Sequence, residues 1–244
     1  MKTTHKIVAM ALVPIVLGFG FLYSGKSVSA ASGGQITGTV KLNGLAPKQK
    51  VIDMSKEPSC AQIHASNPVT TEAVVVGPNG GLKNVVVYVS EGLSAAEAAQ
   101  VPSQPSTINQ KGCQYQPHVA ALDVNQNLQV INSDSTSHNI HPLPKMNREW
   151  NKSQPSGAPP FQEQFSTEEM IPVKCNVHPW MRGYIAVVKG PYAVSDDNGS
   201  FTIANLPPGS YTLTAWQETY GNQTQKVTVS AGTPATADFV FKAK

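Results

Sequence analysis

The stretch KCNVHPWMRGYIAVV, residues 174–188, sets Cys175, His178 and Met181 within seven positions and then continues as an apolar run. A thiolate, an imidazole and a thioether at that spacing are three members of one metal-ligand set. In a His2Cys plane with a weak axial Met, the sulfur ligands hold Cu(I), the imidazoles tolerate both oxidation states, and a fixed geometry keeps reorganisation small. The fourth ligand then has to be a histidine from another strand, and NSDSTSHNIHPL, residues 132–143, offers His138 and His141. A lone Cys, His and Met beside a strand would ordinarily be core residues; the histidines upstream favour a site. Catalysis is not expected, because a Cys-His nucleophile pair needs a free edge for substrate and an oxyanion donor.

Outward from this stretch the chain reads as all-β. QITGTVKL (35–42) alternates apolar and polar residues, NVVVYV (84–89) is a continuous β-branched run, and VAALDVNQNLQVIN (119–132) reads as two short strands around a polar turn. YIAVV (184–188), GSFTIANL (199–206), SYTLTAW (210–216), KVTV (226–229) and ADFVF (237–241) repeat the pattern, with DDNG and LPPG as turn signals. Many short strands with Gly and Pro turns predict sandwiches or barrels. The one helix candidate is SAAEAAQ (94–100). VPSQPS (101–106) reads as a boundary, and the Pro-rich stretch 142–165 as a long functional or mobile loop. DDNG is short of the six to eight oxygens that calcium takes, and reads as a hairpin turn.

Two family resemblances sharpen this reading. CNVHPWMRGYIAV (175–187), with its Cys-x-x-His-x-x-Met spacing, Pro after the His and Arg-Gly after the Met, resembles the ligand loop of the cupredoxins, in particular the amicyanin type. YQPHVAALDVNQNLQVINSDSTSHNIH (115–141) resembles the same family's two strands leading to His-Asn-x-His. The resemblance covers roughly residues 108–189 and implies a Greek-key β-sandwich holding one type 1 (blue) copper ion. It implies His138, Cys175, His178 and Met181 as ligands and Asn139 as the residue tying the His138 loop to the Cys175 loop. His141 is then a strand residue facing away. Trp180, beside the edge of His178 expected to be exposed, would extend an apolar docking patch or simply pack. The 142–165 stretch, with Met146 and Trp150, departs from the family.

YAVSDDNGSFTIANLPPGSYTLTAWQETYGNQTQKVTV (192–229) resembles the carboxypeptidase regulatory-like, transthyretin-type sandwich. Pieces matching that family's opening strands, GQITGTVKLNGLAP (34–47) and GLKNVVVYV (81–89), lie before the cupredoxin-like part. The implied organisation is a smaller Ig/transthyretin-like sandwich split into residues 31–104 and 190–244, with the copper domain, residues 105–189, inserted. Two domains joined in sequence are the alternative.

Residues 1–30 read as a signal peptide: Lys2 and Lys6 precede an apolar run from Ile7 to Tyr23, and Val28 and Ala30 fit a cleavage site. An uncleaved anchor is the competing reading. The expected location is periplasmic or secreted, without membrane association after cleavage. In an oxidising compartment two of the three cysteines are expected to pair, and Cys175 sits among metal-ligand residues, which points to a Cys60–Cys113 disulfide. A zinc site from Cys60, His64, Cys113 and His118, or unpaired buried thiols, are the alternatives. The chain has 18 basic and 15 acidic residues; the first thirty hold three lysines and no acid, so the remainder is balanced. A neutral chain argues against nucleic acid as a partner. The expected function is an electron carrier between periplasmic redox proteins, not an enzyme. The alternative is a copper storage or delivery protein or a surface-recognition module.

Overall fold

The computed structural model describes residues 33–243, so the expected signal peptide lies outside the described residues. In chain order the strands are β1 (Gly34–Asn43), β2 (Val86–Glu91), β3 (Ser106–Gln110), β4 (Tyr115–Gln116), β5 (Val119–Asp123), β6 (Leu128–Asn132), β7 (His138–Pro142), β8 (Lys152–Gln154) and β9 (Phe161–Glu163). They continue as β10 (Glu169–Lys174), β11 (Arg182–Val188), β12 (Tyr192–Val194), β13 (Ser200–Leu206), β14 (Gly209–Gln217), β15 (Gly221–Val229), β16 (Ala235–Thr236) and β17 (Phe239–Lys242). Two short helices, α1 (Pro58–Ile63) and α2 (Ala95–Ala98), accompany them. The fold is all-β, as the period-two patterning predicts. The helix expected over 94–100 is a single turn, closed by a capping box between Ser94 and Glu97.

The strands form four sheets. One contains β13, β1, β16 and β17, and a second runs β12-β2-β14-β15; their strands come only from residues 34–91 and 192–242. The other two, β5-β11-β10-β7-β8 and β4-β3-β6-β9, come only from residues 106–188. β1 pairs antiparallel with β13 and parallel with β17, so the two ends of the described chain share a sheet.

Each pair of sheets encloses its own core. Ile36, Val40, Val85, Val87, Phe201, Leu213 and Phe239 fill the first. Ile108, Leu122, Leu128, Val130, Ile140, Ile171 and Ile185 fill the second. A third apolar layer joins the outer faces: Val86 meets Val119, Ala121, Ala186 and Val188, with Tyr88, Tyr184 and Trp216 around it. This explains why NVVVYV and VAALD lack alternation. Their side chains are buried on both faces, so both positions of the pleat must be apolar.

Asp123 ends β5 at this junction. Its Oδ1 accepts the N–H of Gly190 at 2.7 Å, and nearby Tyr192 donates its hydroxyl to the Ala121 carbonyl. Burial pushes the Asp123 carboxyl up to about 6 and the Tyr192 phenol up to about 12. A carboxyl whose folded value exceeds its ordinary 3.8 binds its proton more tightly in the folded chain. Its contribution is therefore fully present below that ordinary value and is lost as pH rises towards about 6. Asp123→Asn, which keeps the acceptor without the charge, is expected to remove this slope and add on the order of 2 kcal/mol above that range. Urea melts of both proteins at about pH 4 and about pH 8 check it; equal pH dependence in the two would refute it.

The connection between β1 and β2 adds to the sequence reading, which assigned residues 31–104 as a whole to the first part of the smaller sandwich. Residues 50–71 close on themselves through Ile52 N–H to the Val69 carbonyl (2.9 Å) and Thr71 N–H to the Lys50 carbonyl (3.0 Å). Met54 and Cys60 are buried in the second core, with Ile52, Ala61 and Val69 packed beside them. Cys60 is bonded to Cys113. The excursion thus leaves the first pair of sheets and lies on the second.

The Pro-rich 142–165 stretch also differs from a plain loop. It supplies β8 and β9, edge strands of the two sheets around the second core. Gln154 is buried and accepts from Gln110 Nε2 at 2.7 Å, and Trp150 packs edge-on to Phe161 and against Phe165. In the DDNG turn, Asp196 Oδ1 accepts from the N–H of Asn198 and Ser200, so its carboxylate serves the hairpin.

Candidate metal centre

Cys175, His178 and Met181 sit on the connection between β10 and β11. Lys174 pairs with Arg182 across those strands, so residues 175–181 are the whole hairpin loop. The loop closes tightly. Cys175 N–H donates to the Met181 carbonyl at 3.0 Å, Met181 N–H to the His178 carbonyl at 2.9 Å, and His178 N–H to Cys175 Sγ at 3.4 Å. Seven residues folded this way bring all three side chains to one end of the sandwich. The glycine that follows has a steric reason: a Cβ at Gly183 would lie 2.6 Å from the carbonyl oxygen of His118, just before the adjacent strand β5.

His138 opens β7, which neighbours β10, and is fully buried. Its Nε2–H donates to Asp134 Oδ2 at 2.8 Å, which leaves Nδ1 as the acceptor facing the loop. Asp134 is itself fixed by the N–H groups of Gly112 and Cys113, each at 2.7 Å. Burial pushes the Asp134 carboxyl up, but the hydrogen bonds from His138, Cys113 and Gly112 outweigh it and hold the group below the usual carboxylate range. Burial likewise pulls His138 down, and the bond to Asp134 with the neighbouring Cys175 brings it above its ordinary value.

The two histidines face each other through Nδ1 at 2.9 Å, and Cys175 Sγ lies 3.8 Å from His178 Nδ1. The three donor atoms lie within 4.8 Å of one another, all on buried residues, and Met181 is buried in the same core cluster as Cys175. Burial raises the Cys175 thiol, but His138 and the surrounding N–H groups of Asn139, His178 and Val177 outweigh it and lower the thiol below its ordinary value. Burial and the charge of His138 hold His178 low. A lowered thiol and two ring nitrogens aimed into one dry space form a donor set that fits a soft or borderline cation. A second group, Cys113, Asp134 and His138, also meets at short range, but Cys113 is committed to its disulfide.

Asn139 ties the two loops together. Its Oδ1 accepts the N–H of Asn176 at 2.6 Å and lies 3.2 Å from Cys175 Sγ, while its Nδ2 donates to Asn151. Its own carbonyl accepts the hydroxyl of buried Tyr115. His141 faces elsewhere, towards Glu149 and Asn176. The four zinc-alternative residues do not converge: with Cys60 and Cys113 bonded together, His64 contacts the Gly112 carbonyl and His118 contacts Glu218.

One expectation is corrected. His178 was expected to show an edge to solvent, and it is 1% exposed. Trp180 packs against it at 5.2 Å between ring centroids and donates Nε1–H to the Cys113 carbonyl. Glu57, from the 50–71 excursion, places Oε2 3.8 Å from His178 Nε2. The sequence reading missed Asp134 and Glu57. Asp134 had a signal, an acid four residues before a candidate ligand, whereas Glu57 had none.

Residues 185–242 match the family model of the carboxypeptidase regulatory-like domain. No curated protein matches the chain. Among solved structures, a purple cupredoxin from Nitrosopumilus maritimus is similar over 34% of this chain and 99% of its own, at 21% identity and a TM-score of 0.30. Amicyanin from Paracoccus versutus is similar over 42% of this chain and 97% of its own, at 16% identity and a TM-score of 0.32. A Cu-containing nitrite reductase from Thermus scotoductus SA-01 is similar over 41% of this chain and 26% of its own, at 17% identity and a TM-score of 0.34. The chain is similar over 185–242 to the carboxypeptidase regulatory-like domain, and over 34% and 42% of its length to the two cupredoxins.

Proposed function

We propose that this chain is an exported one-electron carrier with a single type 1 copper ion held by His138, Cys175, His178 and Met181. The observation that carries the reading is the convergence within 4.8 Å of the His138 ring on β7 with the ring of His178 and the Sγ of Cys175 on a tight hairpin loop that also carries buried Met181. Copper in such a set supplies a one-electron couple whose potential depends on the axial ligand and the surroundings of the sulfur. The residues here do the rest. Asp134 fixes the proton of His138 on Nε2, Asn139 locks the Cys175 loop to β7, and burial keeps water from the donors. A loop held from both sides changes little between oxidation states. Its partners are periplasmic redox proteins, and the balanced charge implies weak electrostatic steering of their approach.

The organisation we infer is a sandwich from residues 31–104 and 190–244 with the metal domain, 105–189, inserted, and with residues 50–71 of the first part lying on that inserted domain. The strand pairing of β1 with β13 and β17 supports it. The sandwich acts as scaffold or docking module. Among the described residues, no helix is long and apolar enough to cross a membrane.

A second reading, copper storage or delivery, is favoured by the burial of His178, which withdraws the site from direct contact with a partner. The visible spectrum of residues 31–244 after copper loading and mild oxidation separates the two. An intense thiolate band with a reversible one-electron couple is expected. Bound Cu(I) with a colourless, redox-silent Cu(II) form would move the reading to storage, and no copper at all would sink both.

A further inference from the structure

We propose that Glu57 is a positioning residue for His178, supplying from outside the metal domain's own strands the acceptor for that ligand's second ring nitrogen. The inference rests on the reading of His178 as a ligand through Nδ1. A neutral imidazole that binds through Nδ1 carries its proton on Nε2. That nitrogen is buried and has no hydrogen-bond partner. A ligating histidine ordinarily donates this proton to a carboxylate, carbonyl or water, and an unpaired buried donor costs about 1–3 kcal/mol. The group facing it is Glu57 Oε2, at 3.8 Å. That is beyond a hydrogen bond, and a side-chain shift of about 1 Å closes it.

Three further observations favour a built arrangement over a passing surface carboxylate. Glu57 is the N-cap residue of α1, yet its side chain caps none of the helix's backbone N–H groups. Its other oxygen, Oε1, accepts the hydroxyl of Ser59 at 2.9 Å, which leaves Oε2 as the oxygen that faces His178. The helix itself is held in place by the Cys60–Cys113 bond three residues on, and Cys113 in turn receives Trp180 Nε1–H. The excursion, the disulfide and the aromatic ring therefore enclose the same imidazole. Only about a third of the Glu57 side chain is exposed, with relative accessibility 34%, so its charge acts on the site with limited solvent screening.

A carboxylate at this nitrogen makes His178 a stronger donor and favours the more highly charged oxidised metal. Glu57→Ala is expected to weaken Cu(II) binding about tenfold relative to Cu(I), within the range for the loss of such partners. For a one-electron couple that raises the potential by about 59 mV. Glu57→Gln keeps an acceptor oxygen without the charge and should fall between Ala and wild type. Competition titrations with Cu(II), Cu(I) and Co(II), together with voltammetry, read both effects; Co(II) affinity gives a measure independent of the copper couple. Glu149→Ala, at the carboxylate that faces His141, is the control and should leave all four values unchanged. If Glu57→Ala binds each ion as wild type does and at the same potential, the proposal is overturned while the metal site stands. If wild type itself binds none of the ions, both the proposal and the copper reading fall.

Discussion

Cys175→Ser is expected to lower copper affinity at least about a hundredfold and to erase the thiolate band. A four-ligand site worth about 10–16 kcal/mol loses roughly a quarter of that with one ligand, which is about two to three orders of magnitude. The thiolate is the softest member of the set and the one that suits Cu(I), so its loss should fall hardest on the reduced form. Burial raises the Cys175 thiol, but His138 and the loop N–H groups bring it below its ordinary value, whereas a serine hydroxyl gives up its proton far less readily than any thiol. The substitution is nearly isosteric and can keep the contact with Asn139 Oδ1, so the metal-free protein should melt within about 1 kcal/mol of wild type. Removing His138 would be a poorer test, because it strips buried Asp134 of a partner and mixes folding with binding. Chelator competition and a urea melt on the same preparation separate the two quantities. A serine variant that binds copper as tightly as wild type would mean that the sulfur is not a ligand.

What the sequence made legible divides by range of interaction. Runs such as QITGTVKL and NVVVYV declared strands because the pleat has period two and burial on both faces abolishes alternation; β1 and β2 follow from local pattern alone. The three donors on residues 175–181 were visible for the same reason, since one hairpin loop fixes their proximity. His138 lies 37 residues earlier, and only the family resemblance could join it to the loop. Asp134 was overlooked although its spacing to His138 was short, because the sequence does not say that a turn aims its carboxylate at the ring. Glu57 was beyond reach. The segment around it has no sustained periodicity, and α1 has six residues, too few to be a helix without tertiary support. β8 and β9 were hidden similarly, since three-residue strands between prolines cannot display alternation.

Joint replacement of Cys60 and Cys113 by serine should cost about 4 kcal/mol, the chain-entropy value for a bond that closes a 53-residue separation. The double variant avoids leaving one reactive thiol. The loss need not be global, because the excursion has few other ties to the second core. Met54, with Ile52, Ala61 and Val69, supplies the remaining apolar contact, and a short bridge between Val51 and Thr70 closes its base. Without the covalent link, residues 50–71 should open at lower free energy than the sheets beneath them. Amide exchange would then rise first in this segment and next in residues 175–181, where Trp180 and Glu57 cover His178, while β1, β2 and β14 keep their protection. The order matters for function: if the bond holds the cover, breaking it should expose His178 and speed electron exchange with small soluble oxidants. An unchanged melt with unchanged exchange over 50–71 would show that apolar packing alone holds the excursion. A uniform rise across all four sheets would show that the bond stabilises the whole chain and not the cover over His178.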